Sequence, residues 1–135
     1  MKQELLKAIL VILISPLYLF GQVDYSNPES VAQQFLDLYI AGEVLQASED
    51  YATEESMTQV EVLVKQMVMN DKPLKNENCK YLVDSCSVNQ LEQIADCSFS
   101  KIYSDEKKNG KGHLILKLVE EKWLVEYIYK RDKYL

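Results

Sequence analysis

The stretch HLILKLVEEKWLVEYIY, residues 113–129, decides the fold class. Leu114, Leu116 and Leu118 alternate with His113 and Lys117; after the tight turn that Glu120 and Glu121 allow, Trp123, Val125 and Tyr127 share a face opposite Glu126. Successive side chains point to opposite faces of a strand, so the two runs read as an antiparallel hairpin with one apolar face. Upstream, Ser104 to Gly112 contains Asn109-Gly110, a hairpin signal, and the segments Ile94 to Tyr103 and Tyr81 to Val88 repeat the period-two pattern. Four sequential antiparallel strands follow, and their apolar face needs a cover.

The preceding half of the chain supplies it. Asn27-Pro28 reads as an N-cap with proline at the first helical position, and Val31, Phe35, Leu38 and Tyr39 recur at helical spacing until Gly42. Val44, Leu45, Ala47 and Tyr51 predict a short second helix. Thr53 caps a third, in which Met57, Val60, Val64, Met67 and Val68 form a stripe ending at Asn70 to Pro73. The charge divides at the same border: Gln22 to Asp71 carries one base, Lys65, against ten acids, and Lys72 to Leu135 carries twelve bases against ten acids. The fold class is α+β, a three-helix segment packed on a four-stranded antiparallel sheet.

Ahead of this domain, Lys2 and Lys7 accompany an apolar run from Ala8 to Phe20 that is interrupted by Ser15 and Pro16. That run is shorter than the roughly 20 residues a membrane span requires. It reads as a secretory signal peptide over residues 1–21, cleaved after Gly21 and leaving residues 22–135 as a single domain. Leu19 is larger than the residue preferred before such a cut, so an uncleaved anchor is the alternative. The expected location is exported, periplasmic or extracellular, with no membrane contact after cleavage. A hydrophobic content of 47% with only four glycines and three prolines excludes a disordered or fibrous chain. A formal net charge of −6, with no basic cluster denser than Lys130, Arg131 and Lys133, argues against nucleic acid as a partner.

Within this order of elements lies a run Asn-Pro-Glu-Ser-Val-Ala-Gln-Gln-Phe-Leu from Asn27 to Leu36, a Gly42-Glu43 break, a Tyr-Ala-Thr stretch from Tyr51 to Thr53, and Lys122-Trp123 beside a tight turn. Taken together these features resemble the nuclear transport factor 2-like superfamily, the cone-shaped fold also called cystatin-like. They are similar in particular to its small secreted bacterial domains of unknown function and its lumazine-binding-like domains. The resemblance covers most of Asn27 to Tyr129 and departs at Gln90 to Gln93, where the turn is longer. It implies a strongly bent sheet and a pocket between helices and sheet, used by some members for small apolar molecules and by others for isomerase, dehydratase or cyclase chemistry. Tyr39, Tyr51, Tyr81, Phe99, Trp123 and Tyr127 are the aromatic residues expected to converge on that space. Trp123 and Phe99 read as packing, whereas inward tyrosines, whose hydroxyls need partners, would mark a wet or ligand-filled cavity.

Acid–base catalysis in such a pocket needs a carboxylate or histidine with a displaced pKa beside a tyrosine or acid. His113 falls on the polar face of its strand, Asp37 points to solvent, and Asp84 and Asp96 turn inward only if a bulge shifts register. Asp96 is the best of these weak candidates for a base. One histidine and no close pair of cysteines cannot build a four-ligand metal site, and Gly110 and Gly112 belong to a hairpin rather than a phosphate loop. No metal and no cofactor are expected. In an oxidising compartment Cys86 and Cys97 would face each other across a hairpin centred near Leu91, and the family-like alignment of their flanking residues supports a disulfide. Three cysteines allow three single bridges, and Cys79 could replace either partner.

Three functions fit. The favoured one is a secreted, non-catalytic domain that binds a small apolar molecule or a protein partner. The second is a small isomerase- or dehydratase-type enzyme using Asp96 or Asp84 with a tyrosine such as Tyr39 or Tyr81. The third is an inhibitor- or immunity-like protein docking a basic partner through its acidic helical half. Ile115 and Val119, on the outer face of the sheet, either serve a homodimer contact or simply lie exposed.

Overall fold

The computed structural model describes residues 23–70 and 78–127. Helix α1 spans Pro28–Ile40, and Asn27 caps it by accepting the Glu29 N–H on its side-chain oxygen at 3.0 Å. It ends in a Schellman motif: Glu43 N–H reaches Leu38 O at 2.9 Å and Gly42 N–H reaches Tyr39 O at 3.2 Å, with Gly42 at φ 85°. Only a residue without a Cβ adopts that left-handed conformation freely, which is why the helix stops there. Helix α2 (Val44–Tyr51) follows at once. Thr53 then opens α3 (Glu54–Met69), its hydroxyl accepting the Ser56 N–H at 3.3 Å.

Four strands make one antiparallel sheet in the order β1 (Cys79–Asn89), β2 (Ile94–Tyr103), β3 (Gly110–Val119) and β4 (Lys122–Tyr127). Two bulges bend it. Val83 pairs with Phe99 but Ser85 with Ser98, so Asp84 is the extra residue of β1; Leu116 pairs with Val125 but Ile115 with Tyr127, so Glu126 is the extra residue of β4. A bulge inserts one unpaired residue and reverses the facing of everything beyond it. Cys79, Tyr81 and Val83 are therefore the shielded residues of the first half of β1 and Cys86 that of the second. The β1–β2 turn uses the four residues Gln90 to Gln93, the longer connection expected there, and Gln93 O anchors it by accepting the Leu118 N–H at 2.9 Å.

Several expected details are corrected. The third strand starts at Gly110, so Gly110 and Gly112 are strand residues, and the connection before it is a short 3₁₀ turn, Glu106–Lys108. Asn109 is extended there, at φ −59° and ψ 144°, and its side chain accepts the Tyr103 N–H at 2.7 Å. It acts by hydrogen bonding rather than by forming an Asn-Gly turn. The bulge at Glu126 also breaks the simple alternation of β4, because Tyr127 pairs with Ile115 instead of continuing the row of Trp123 and Val125. In α3 the stripe is incomplete: Val68 is 60% exposed. The side chains of Val60, Met67 and Tyr127 lie outside the described residues, as do residues 1–21 and the segment 71–77 after α3.

The core lies between α1, α2 and the inner face of the sheet. Val31, Ala32, Phe35, Leu36 and Ala47 from the helices meet Ala95, Cys97, Phe99, Leu114, Leu116 and Val125 from the strands, every one fully buried. At about 1.5–3 kcal/mol for each large apolar side chain removed from water, this layer supplies the main drive for folding. Gly112 lies directly opposite Phe99, whose ring occupies the space a Cβ would need.

Candidate functional site

Five of the six aromatic residues singled out from the sequence lie in or against the core; the side chain of Tyr127 lies outside the described residues. The Phe99 and Tyr81 rings lie 5.2 Å apart, Tyr39 lies 6.2 Å from Phe35, and Tyr51 lies 5.8 Å from Tyr25, whose hydroxyl donates to Asp50 O at 3.0 Å. Phe99, Tyr51 and Trp123 belong to the core, and Tyr39 and Tyr81 pack against its margin. These five residues thus meet one core, four of them in three separate ring pairs. Burial pushes the Tyr51 and Tyr25 hydroxyls above the ordinary tyrosine range, with the Asp50 charge adding to the shift in each. Both phenols stay protonated, and that of Tyr25 donates to Asp50 O.

The outer face is built differently. Asp84, placed outward by its own bulge, accepts from Ser100 Oγ at 2.9 Å and from Lys111 Nζ at 3.0 Å, while Lys111 also donates to Ser100 Oγ at 2.6 Å. The Lys111 ammonium and the Ser100 hydroxyl hold the Asp84 carboxyl below its usual range. One register step along, the hydroxyls of Ser85 and Ser98 are 3.4 Å apart, and beyond them His113 Nδ1 lies 2.8 Å from Asp96 Oδ1. Asp84 and Asp96, the carboxylates considered for an inward base, therefore both lie on the solvent side.

The His113–Asp96 pair could not be read from the sequence, because it depends on β2–β3 register: Ser98 is opposite His113 and Asp96 is two residues away on the same face. Such a pair orients an imidazole. It does not by itself make a nucleophile, since Ser98 Oγ is directed at Ser85 O, 3.4 Å away, and both members are more than a third exposed at 37% and 41%. Among the described residues no group of three or more His, Cys, Asp or Glu is arranged to hold a metal ion.

Cys86 and Cys97 are direct cross-strand partners with Cα atoms 4.0 Å apart and form a disulfide. Their meeting depends on the Asp84 bulge, since the alternation of Cys79, Tyr81 and Val83 would otherwise carry Cys86 to the outer face. Cys79 is the free thiol, and burial pushes its pKa up, which keeps it protonated.

No protein-family model matches the chain, and no curated protein matches it in sequence. Among solved structures it is similar to a Campylobacter jejuni protein described as a candidate NTF2-like transpeptidase, with 18% identity, a TM-score of 0.53, and coverage of 75% of this chain and 98% of that one. At that identity the likeness bears on architecture alone. With three helices laid across a four-stranded antiparallel sheet that two bulges bend into a cone, the chain has the nuclear transport factor 2-like fold.

Proposed function

We propose that this chain is an exported, non-catalytic interaction domain that engages a basic protein partner through its acidic helical surface. The observation that carries the reading is the distribution of charge on the helices. Asp24, Glu29, Asp37, Glu43, Glu49, Asp50, Glu54 and Glu55 are all exposed, and Lys65 is the only base from residue 23 to residue 70. A surface of one sign steers an oppositely charged partner and fixes its orientation. The burial of Phe35, Leu36, Phe99, Leu114 and Leu116 in one cluster between helices and sheet supports surface engagement over enclosure of a small molecule. Export is supported by the Cys86–Cys97 disulfide, which persists in oxidising compartments, and by the leader-like residues 1–21.

The test is capture of partners from the export compartment on immobilised protein across a salt series. Retention at low salt, release at high salt, and loss in a Glu49→Lys/Asp50→Lys variant of unchanged thermal stability are expected. Retention that ignores both salt and the charge reversal would overturn the reading.

A further inference from the structure

A β-sheet has two edges, each a row of backbone groups that seeks partners. In this molecule the β4 edge is covered: Tyr25 O accepts the Trp123 N–H at 2.9 Å, and Thr53 N–H donates to Val125 O at 2.8 Å beside an Ala52–Val125 bridge. The first half of the β1 edge is covered by a side chain. Gln33 of α1 donates from Nε2 to Tyr81 O at 2.9 Å and accepts the Val83 N–H on Oε1 at 2.9 Å, so its amide stands in for one residue of a neighbouring strand.

Beyond the Asp84 bulge no such cover is found among the described residues. Because Tyr81 O and Val83 N point away from β2, the alternation of the ladder, shifted by one at the bulge, makes Cys86 and Val88 the next residues whose N–H and C=O point outward. Among the described residues these groups have no hydrogen-bond partner. Ser85, Ser87, Val88 and Asn89 are exposed, and a depression of about 540 Å³ adjoins the edge, lined by Ser87, Val88, Leu91, Ile94 and Asp96 among others. Leu91, at the hairpin tip, is 98% exposed.

We infer that the edge from Ser85 to Asn89 is a strand-addition site that takes an extended segment of a protein partner in which apolar residues alternate with lysine or arginine. The alternation follows from the two faces. A residue added beside Val88 shares its face and meets an exposed valine, and the next residue shares the face of Ser87 and Asp96. The charge follows from the hairpin, which carries Glu92, Asp96 beside His113, and Asp84 paired with Lys111 of β3, and no base of its own between Lys80 and Lys101. A second copy of this chain would bring the same acids together and is disfavoured. The inference rests on the proposed basic partner and adds a second contact, apart from the acidic helices, with the conformation the partner takes there.

The test uses the oxidised full-length mature protein and a blocked peptide of four Lys-Val repeats, with amide hydrogen exchange and NMR shifts as readouts. Expected are slowed exchange at Cys86 and Val88 and shifts centred on Ser85 to Asn89. The same peptide N-methylated at alternate residues, unable to complete the ladder, should bind at least about tenfold more weakly. A Val88→Pro variant, which removes an outward N–H from an edge strand, should lose the protection as well. The N-methylated peptide leaves the protein untouched, so the inference stays falsifiable if that variant misfolds. Salt-sensitive binding that protects the helices but not β1 overturns the strand-addition site and leaves the acidic-surface reading standing. Absence of binding by any peptide, together with salt-independent partner capture, overturns both. Equal binding of a Glu-Val peptide overturns the charge selection. Protection at Cys86 and Val88 that rises with protein concentration in the absence of peptide replaces the partner with a second copy.

Discussion

Gly112 shows how one residue constrains the sheet. It pairs with Phe99, and a Cβ there would fall inside the Phe99 ring. Gly112→Ala should therefore displace the ring and destabilise the fold by about 1–3 kcal/mol in urea unfolding, as overpacking does. The same substitution at Gly110, where a Cβ meets open space, serves as the control. Asp84 is a second residue with a defined expectation. Its carboxyl is held low by Lys111 and Ser100, so its contribution to stability is present above the ordinary carboxyl pKa and is lost as pH falls through the lowered one. An NMR titration should place Asp84 below the ordinary aspartate range, and Lys111→Met should move it back toward that range, the Ser100 hydrogen bond holding the rest of the shift. The pair is exposed, so neither change should alter neutral-pH stability much.

At the scale of elements, the β3–β4 turn carries strain. Glu120 and Glu121 have φ of 49° and 68°, the conformation of a tight hairpin turn that Asn-Gly adopts readily and bulkier residues adopt at a cost. Replacing Glu120-Glu121 by Asn-Gly should stabilise the protein by roughly 1–2 kcal/mol, read as a raised urea midpoint at unchanged slope. In the β1–β2 hairpin, the Cys86–Cys97 bridge closes a short loop, 11 residues apart in sequence. Loop-closure entropy gives it about 2–3 kcal/mol, so reduction should lower stability by that amount without unfolding the chain. The helices were legible because Asn27, Gly42 and Thr53 are local signals, each acting within a few residues of itself. The two bulges were not, because nothing at Asp84 or Glu126 distinguishes an unpaired residue from a paired one; they answer to the curvature of the whole sheet. The outward seating of Asp84 and the contact of His113 with Asp96 were hidden for the same reason.

For the molecule as a whole, the opposition of an acidic helical layer to a mixed-charge sheet could be counted from the sequence. Whether the aromatic residues leave a cavity could not, since that depends on how closely two layers approach. Phe35 and Leu36 on α1 are fully buried in one core with Phe99, Leu114 and Leu116, which supports the proposed surface binding over enclosure. The most direct test compares native and denaturing mass spectra of the mature protein, purified without reduction from its export compartment. Equal masses, two hydrogens below the fully reduced chain, are the predicted result. A native mass larger by a few hundred daltons would reveal an enclosed small molecule and contradict the account.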